Sequence, residues 1–222
     1  MRHLSLIGAA ALLFTTLAAA DHTTLTGKVM CGYQGWFAAE GDDSGLGWQH
    51  YGFRKTGGCT IDLWPDVREL GKGELYDSPL KFADGRPAPV FSSANANTVL
   101  RHFEWMRDHG IDGIFLQRFG TTLKSDKQRA FNDRVLENVR TVAANPSRTW
   151  ALMYDLSGLR AGEIEKVVMQ DWKRLRNDKH IIDDPGYLHH AGRPVVAVWG
   201  IGFNDNRDYT LDECAALFRF LR

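Results

Sequence analysis

The sequence has 222 residues, 44% of them hydrophobic, and its 27 basic residues are balanced by 27 acidic ones. This is the composition of an ordinary globular protein. Because the formal net charge is zero, the sequence gives no electrostatic reason to expect a nucleic-acid partner or binding to an anionic membrane.

The first twenty residues have the plan of a secretory signal peptide. Arg2 and His3 precede an apolar run from Leu4 to Leu17, and three alanines follow it. The run is short for a membrane span, and the alanines match an A-x-A cleavage site. We therefore expect cleavage after Ala20, a secreted or periplasmic chain 21–222, and no membrane association once the leader is removed.

Export permits disulfides, but the three cysteines of the sequence leave the pairing open. Cys31 and Cys59 could form a bridge, and the sequence does not decide whether they do. There is no Cys-x-x-Cys, and the aspartates in 42–43 and at 62 and 66 do not have the spacing of an EF-hand loop. We expect them to be solvated loop carboxylates, and we predict neither a metal nor a cofactor.

Four strand patterns alternate with four helix patterns along the rest of the chain. The predicted strands are apolar runs, and the predicted helices repeat apolar residues every three or four positions. The strands are 28–33, 113–119, 149–154 and 194–199, and the helices are 98–109, 125–144, 161–176 and 210–221. Thr210 and Glu213 have the spacing of a capping box. This alternation predicts a parallel sheet with helices outside it.

The connection after the first strand is unusually long. The segment 38–97 is rich in glycine, aspartate and aromatic residues, and Asp84-Gly85 is a hairpin signal. Because a structureless loop of this length is uncommon in a compact domain, we expect the segment to fold on itself. We interpret it as a lid or excursion at one end of the sheet.

Two architectures fit four βα units, an open doubly wound sheet and a (β/α)8 TIM barrel. The doubly wound fold would carry a glycine-rich phosphate turn after its first strand, but the sequence there is GYQGWF. Every predicted strand instead ends in polar or aromatic residues, as in a barrel that works at the carboxyl ends of its strands. The sequence favours the barrel, with about four of its eight βα units present.

The candidate site consists of the residues that end these strands. Asp155 is the candidate catalytic carboxylate, as acid, base or hydroxyl ligand, although it could instead cap the next helix. The aromatic content of the chain by itself favours a well-filled core, and sugar binding is the alternative, because tryptophan and tyrosine stack on the apolar faces of sugar rings. The predicted substrate-binding residues are Tyr33, Gln34, Trp36, Gln117, Arg118, Tyr154 and Trp199.

Alternatives remain open for several of these residues. Tyr33, Trp36 and Trp199 could pack inside the barrel rather than stack on a sugar. Arg118 could contact substrate or form an ion pair with Asp155, and in either case we expect it at the end of the sheet rather than in the core. His189 and His190 precede the fourth strand, so we expect them at the opposite end.

Several segments in fixed order resemble the glycoside hydrolase family 71/99-like proteins, which are often labelled xylosidase/arabinosidase-like and are related to the family 99 endo-α-mannosidases. The resemblance covers nearly all of residues 27–205. The segments are MCGYQGWF, DLWPDVREL, LYDSPLKFADGRPAPVFSS, HFEWMRDHGIDGIFLQRF, ALMYDLSG and GRPVVAVWGIGF. The resemblance implies a (β/α)8 barrel that acts on glycosidic bonds of a polysaccharide or glycan.

The resemblance also implies that a motif is missing. The family carries its key acids on a later strand, in a phrase similar to D-E-x-D-E-G-T or N-E-W-H-E-G-T, and the sequence has no such phrase. A complete barrel typically has about 250 residues. We therefore expect the N-terminal half of a hydrolase, truncated before its acid pair. The alternative is a non-catalytic carbohydrate-binding remnant. Metal-dependent deacetylation is weaker, since only Asp155 would qualify for its ligand set.

Overall fold

The computed structural model describes residues 21–53, 57–144 and 147–222. Its strands are β1 (Met30–Tyr33), β2 (Tyr76–Lys81), β3 (Pro87–Val90), β4 (Gly113–Phe119), β5 (Thr149–Asp155), β6 (His189–His190), β7 (Arg193–Pro194) and β8 (Val196–Trp199). Its α-helices are α1 (Ala96–Asp108), α2 (Asp126–Ala143), α3 (Gln170–Asn177) and α4 (Leu211–Leu221). The predicted alternation of strands and helices is confirmed.

The central sheet contains four parallel strands in the order β1-β4-β5-β8, which is their order in the sequence. The register pairs Tyr33 with Leu116, Phe119 with Asp155, and Asp155 with Trp199. The carboxyl ends of the four strands therefore lie along one side of the sheet, which we call the carboxyl edge. The predicted parallel sheet is confirmed, while closure into an eight-stranded barrel stays a prediction.

The four helices form one layer on one face of this sheet. Tyr33 of β1 reaches His102 of α1, and Arg118 of β4 reaches Asp133 of α2 and Asp171 of α3. Helix α4 joins the same layer, since Lys173 of α3 lies over the ring of Phe220. The opposite face of the sheet, which we call the open face, carries the alternate side chains of each strand.

The helices begin and end where their local sequences allow. The Asn95 side chain accepts a hydrogen bond from the Asn97 backbone at the start of α1, and Gly110, in a left-handed conformation, follows its end. The predicted capping box of α4 is confirmed, with the Glu213 carboxylate 2.8 Å from the Thr210 backbone nitrogen. The third predicted helix divides into a π-helical segment, Ile164–Met169, and α3.

The long segment 38–97 folds on itself, as expected. β2 and β3 form an antiparallel hairpin, and Gly85 has the positive φ that its turn requires. A layer of aromatic rings fills the rest, in which the Tyr51 hydroxyl donates to the backbone carbonyl of Phe91 at 2.6 Å. His50 stacks on Trp36, whose ring contacts Phe119 at the carboxyl edge. Whether the segment acts as a lid stays a prediction.

The structure also bears on the loop aspartates, the cysteines and the question of a membrane-spanning helix. Asp42 is not a solvated loop carboxylate, because it is buried and accepts hydrogen bonds from the Ala39 backbone and the Ser92 hydroxyl. All three cysteines are free thiols. Within the described part of the chain, no helix is both long enough and apolar enough to cross a membrane. The predicted leader lies outside the described residues.

Candidate functional site

The carboxyl edge brings the predicted strand-end residues together but divides them between two faces. Gln117, Asp155 and Trp199 occupy register positions on the open face. Arg118 and Tyr154 pair with each other one residue away, so their side chains point into the helix layer. Tyr33 also points into that layer, where its hydroxyl lies 2.9 Å from Nδ1 of His102.

Asp155 is the centre of the open-face group. Its Oδ2 accepts a hydrogen bond from Nε2 of Gln117 at 2.6 Å, and its Oδ1 accepts one from the backbone N–H of Ser157 at 2.8 Å. The first bond fixes the orientation of the carboxylate. The second closes a local turn and does not cap a helix, since the next helical segment begins at Ile164 with Glu163 as its N-cap. Asp155 is buried, so a ligand has to approach along the rim formed by its neighbours.

The neighbours of Asp155 at this rim are aromatic and accessible. Trp199, its register partner on β8, is 49% exposed and contacts the ring of Phe203. Trp36 is half-buried and packs edge-to-face on Phe119, the register partner of Asp155 on β4. An exposed indole beside an oriented carboxylate is a suitable surface for a polar ring with one apolar face. Gln34 is exposed at the end of β1.

Arg207, which no sequence motif marks, belongs to the same edge. Its Nη1 donates to the Ser157 hydroxyl at 3.0 Å and to the Tyr209 hydroxyl at 2.7 Å, and its Nε lies 2.7 Å from Asp205. The guanidinium also lies over the Phe203 ring. Arg207 therefore fastens the loop after β8 to the turn after β5. The only sequence feature that could have pointed to Arg207 is its position in the polar loop that follows the last strand.

The expected position of Arg118 is wrong. Its side chain is 3% exposed, its Nε lies 2.5 Å from Oδ2 of Asp171, and its Nη2 lies 2.8 Å from the other oxygen of that carboxylate. The same Nη2 lies 2.7 Å from Asp133. The alternative of an ion pair with Asp155 is not formed, since Arg118 faces the helix layer and Gln117 contacts that carboxylate. The arginine ends its strand facing two carboxylates that project from helices.

Two further side chains complete this buried ion network. Arg174 makes contacts of 2.9 Å with both Asp133 and Asp171, and the Tyr154 hydroxyl donates to Asp171 at 2.9 Å. Burial alone would raise the pKa of Asp171, but its hydrogen bonds with Arg118 and the nearby positive charge outweigh burial and hold that pKa below its ordinary value. The charged groups of this network are paired with one another, so the network holds α2 and α3 on the sheet.

The predicted substrate-binding residues therefore fall into two sets. Gln117, Trp199, Trp36 and Gln34 lie where a ligand at the open side of the carboxyl edge could reach them. Tyr33, Arg118 and Tyr154 lie in the helix-facing core, so Tyr33 packs between the sheet and α1 and not inside a barrel. His189 and His190 form a short hairpin strand beside the amino end of β5, at the opposite end of the sheet.

Asp155 is the only carboxylate among the open-face positions of the four described strands. The other open-face residues there are Met30, Gly32, Gly113, Phe115, Gln117, Phe119, Thr149, Ala151, Met153, Ala197 and Trp199. Within the described ranges of the chain, no group of three or more acidic, histidine or cysteine side chains is placed to hold a metal ion. The site as it stands can orient one acidic group beside an aromatic surface.

No protein-family model and no curated protein matches the sequence. The fold is similar to two solved structures of the GH99 endo-α-mannosidase from Bacteroides thetaiotaomicron. The first, in complex with BIS-TRIS-propane, has a TM-score of 0.45 and 11% sequence identity, and the match covers 76% of this chain and 41% of that one. The second has a TM-score of 0.44 and 10% identity and covers 76% and 44%. The chain spans less than half the length of either structure.

Proposed function

We propose that this protein is a secreted, glycoside hydrolase-like protein that binds a glycan at the carboxyl edge and acts on its glycosidic bonds. The observation that carries the proposal is the oriented Asp155 carboxylate, held by Gln117 and bordered by the exposed Trp199 ring. The sequence segments that resemble family 71/99-like hydrolases support it. Assignment to family 71, or to the xylosidase/arabinosidase-like members, stays a prediction.

Asp155 would serve as one member of the carboxylate pair that glycoside hydrolysis requires. One group protonates the leaving oxygen, and the other activates water or attacks the anomeric carbon. A single carboxylate cannot take both roles in one step. Gln117 would keep the Asp155 side chain in a fixed orientation, while Trp199 and Trp36 would bind the apolar faces of sugar rings on either side.

The proposal is tested by sugar binding and by bond cleavage, measured separately. Purified protein is titrated with α-mannan, α-glucan and arabinoxylan oligosaccharides by calorimetry, and release of reducing ends is followed with the same substrates. We expect Trp199→Ala to weaken binding by about tenfold, which corresponds to about 1.4 kcal/mol. Phe82→Ala is the matched control, because Phe82 is an exposed aromatic ring on the β2–β3 hairpin turn and is not among the predicted substrate-binding residues.

Asp155→Asn separates the two functions. The amide keeps the shape of the side chain: its oxygen can accept from the Ser157 N–H, and its NH2 can donate to the Gln117 carbonyl oxygen once that amide turns over. We therefore expect binding to be retained and cleavage to be lost. General acid–base assistance contributes about 10²–10⁴-fold to a rate, which sets the expected size of the loss. Absence of binding to every one of these glycans would contradict the proposal.

A second candidate function is carbohydrate binding without hydrolysis. The observation that favours it is the single carboxylate on the open-face positions of the four described strands. Binding that depends on Trp199, with no cleavage in wild-type protein, would support this alternative.

Secretion belongs to the same proposal and has its own test. Expression of all 222 codons in a secreting host, followed by N-terminal sequencing of the exported protein, should give a first residue of Asp21. Exported material that begins at Met1 would contradict the predicted signal peptide.

A further inference from the structure

A groove of about 290 Å³ opens in the helix layer, away from the carboxylate and aromatic side chains of the candidate site. One wall is formed by the 3₁₀ turn Gly120–Lys124 and the start of α2, and the other by the π-helical segment Ile164–Met169 and α3. None of the described residues that line it belongs to the central sheet or to α4. The shape of the groove therefore does not depend on what covers the open face or the edges of the sheet.

The groove is basic, although the chain has no net charge. Four of its eight described lining residues are cationic and only Asp171 is acidic; the cations are Lys124, Arg129, Lys166 and Arg174. No aromatic side chain is among these eight residues, so the groove does not offer a stacking surface for a sugar ring. A concave surface lined by one sign of charge raises the local concentration of ions of the opposite sign.

The carboxylate at the floor of the groove is already neutralised by its own partners. Oδ2 of Asp171 accepts hydrogen bonds from Nε of Arg118 and from the Tyr154 hydroxyl, and Oδ1 accepts from Nη2 of Arg118 and Nη2 of Arg174. Arg118 is buried and does not line the groove. Together with Asp133 the buried network holds two cations and two anions. The charge of the groove is therefore set by the remaining three cations, which form its rim.

These rim cations have exposed partners or none. Lys166 is exposed and, within the described ranges of the chain, forms no ion pair. Arg129 lies 2.7 Å from Asp126, but that carboxylate is 92% exposed. Lys124 is an exposed residue and lies 3.0 Å from both oxygens of Glu163. Ion pairs on the surface contribute little to stability, so these partners can give way to an anion that contacts several cations at once.

The π-helical segment holds one of these cations at the groove. π-helices are rare in proteins and occur frequently at functional sites. Here Ile164, Val168 and Met169 are buried and fix the segment on the core, while Lys166 remains exposed on the wall opposite Lys124. The two ammonium groups therefore belong to two walls that are each held in place by the fold.

We propose that this groove binds an oxyanion, a phosphate or sulfate group, between Lys124 and Lys166, with Arg129 as a third donor. Ammonium and guanidinium groups form their strongest hydrogen bonds with such charged oxygens. The volume lies at the lower end of the range for ligand pockets, about 300–1,000 Å³, which suits one oxyanion with a small part of the molecule that carries it. The site does not involve Asp155 or Trp199, so the proposal does not rest on the proposed function.

The primary test is the binding of inorganic phosphate and inorganic sulfate to purified protein. Equilibrium dialysis with labelled ions, at constant ionic strength set with sodium chloride, should give saturable binding of one ion per chain. The melting temperature should rise with phosphate concentration and not with an equivalent concentration of chloride, because a ligand that binds only the folded state stabilises it. The absence of saturable binding of both ions would overturn the proposal.

Esters of a monosaccharide identify the source of the group. Glucose 6-phosphate, glucose 6-sulfate and unmodified glucose are titrated beside the free ions. Equal affinity for the ester and the free ion would support a site for the free oxyanion, and tighter binding of an ester would support a site for an oxyanion on a larger molecule. Binding of glucose as tight as that of its esters would overturn the proposal, because the charge would then contribute nothing.

Lys166→Gln tests the groove, and Lys72→Gln is its matched control. Lys72 is an exposed lysine of another 3₁₀ turn, Lys72–Glu74, and does not line the groove. Lys166→Gln should weaken phosphate binding about tenfold, as expected for the loss of one charge-assisted hydrogen bond, and Lys166→Arg should retain it. The urea midpoint without phosphate should stay unchanged, because Lys166 forms no ion pair. Equal weakening by Lys166→Gln and Lys72→Gln would show an effect of overall charge and overturn the proposal.

Hydrogen exchange locates the bound ion. Amides in 120–129 and in 164–174 should both gain protection when phosphate is added, because the ion joins the two walls of the groove. Protection confined to other segments would place the ion elsewhere and overturn the proposal. A protein that binds phosphate in the groove but binds no glycan would contradict the proposed function alone, since none of these measurements depends on the carboxyl edge.

Discussion

Removal of Arg118 should destabilise the fold more than removal of any surface arginine. Arg118→Met leaves a side chain of similar length but withdraws the contacts of 2.5 and 2.8 Å to Asp171 and the contact of 2.7 Å to Asp133. Both Arg118 and Asp171 have side chains only 3% exposed, so water does not replace these contacts. Loss of one partner from a buried pair typically costs about 3–5 kcal/mol, because a buried charge is left uncompensated.

The structure places the expected cost at the lower end of that range. Asp171 keeps Arg174 and the Tyr154 hydroxyl, and Asp133 keeps Arg174, so neither carboxylate loses every partner. We expect a decrease of about 3 kcal/mol in the free energy of unfolding, against a typical total of about 5–15 kcal/mol. Urea unfolding followed by tryptophan fluorescence at pH 7 measures it, with all variants at one protein concentration.

Arg68→Met is the matched control for this measurement. Arg68 and Asp66 have the same short geometry, with Nη2 2.6 Å from Oδ2, but their side chains are 87% and 55% exposed. A pair so exposed contributes little that is measurable. Adding Asp171→Asn to Arg118→Met should recover part of the lost stability, because it removes the uncompensated charge. Equal losses for Arg118→Met and Arg68→Met would refute the reasoning.

Three further predictions follow from burial, capping and close packing. Burial lowers the pKa of His102 to about 4, because the folded protein favours the neutral imidazole. The contribution of His102 to the free energy of unfolding is therefore complete above the unfolded pKa of about 6.5. It is lost as the pH falls towards 4. His102→Asn should therefore reduce the acid-side loss of stability by up to about 3 kcal/mol in urea titrations at pH 7 and pH 4, and parallel wild-type and variant profiles would contradict this. Thr210→Ala should cost about 1 kcal/mol by loss of the capping box, measured by the same titration, and a change below about 0.3 kcal/mol would show that the cap is irrelevant. Gly113→Ala should lower the melting temperature by an amount equivalent to about 1–3 kcal/mol, because the new Cβ would overlap the Thr149 carbonyl oxygen. Gly32→Ala, whose Cβ would meet Met153 at 3.6 Å, is the control and should be near neutral.

The sequence by itself determined the order of the elements and the architecture of the sheet. Apolar runs such as 113–119, separated by helical periodicity, specify strands buried by flanking helices, and βα alternation forces those strands to be parallel. The signals for the Asp84-Gly85 turn and for the Thr210 cap depend on residues only two or three positions apart, so local chemistry was sufficient to predict them. The place of Asp155 and Trp199 at one edge followed from strand direction alone.

The tertiary structure decided which way each strand-end side chain points and what it contacts. Adjacent residues of a strand face opposite sides of the sheet, so a shift of one position separates Gln117, beside Asp155, from Arg118, which lies among carboxylates. Those carboxylates, Asp133 and Asp171, come from helices 15 and 53 residues further along the chain. No local sequence pattern identifies them as partners of Arg118, because an acidic residue on an isolated helix is expected to be exposed to water. Only packing of α2 and α3 on the sheet turns these acids into a buried network and leaves Asp155 alone on the open face.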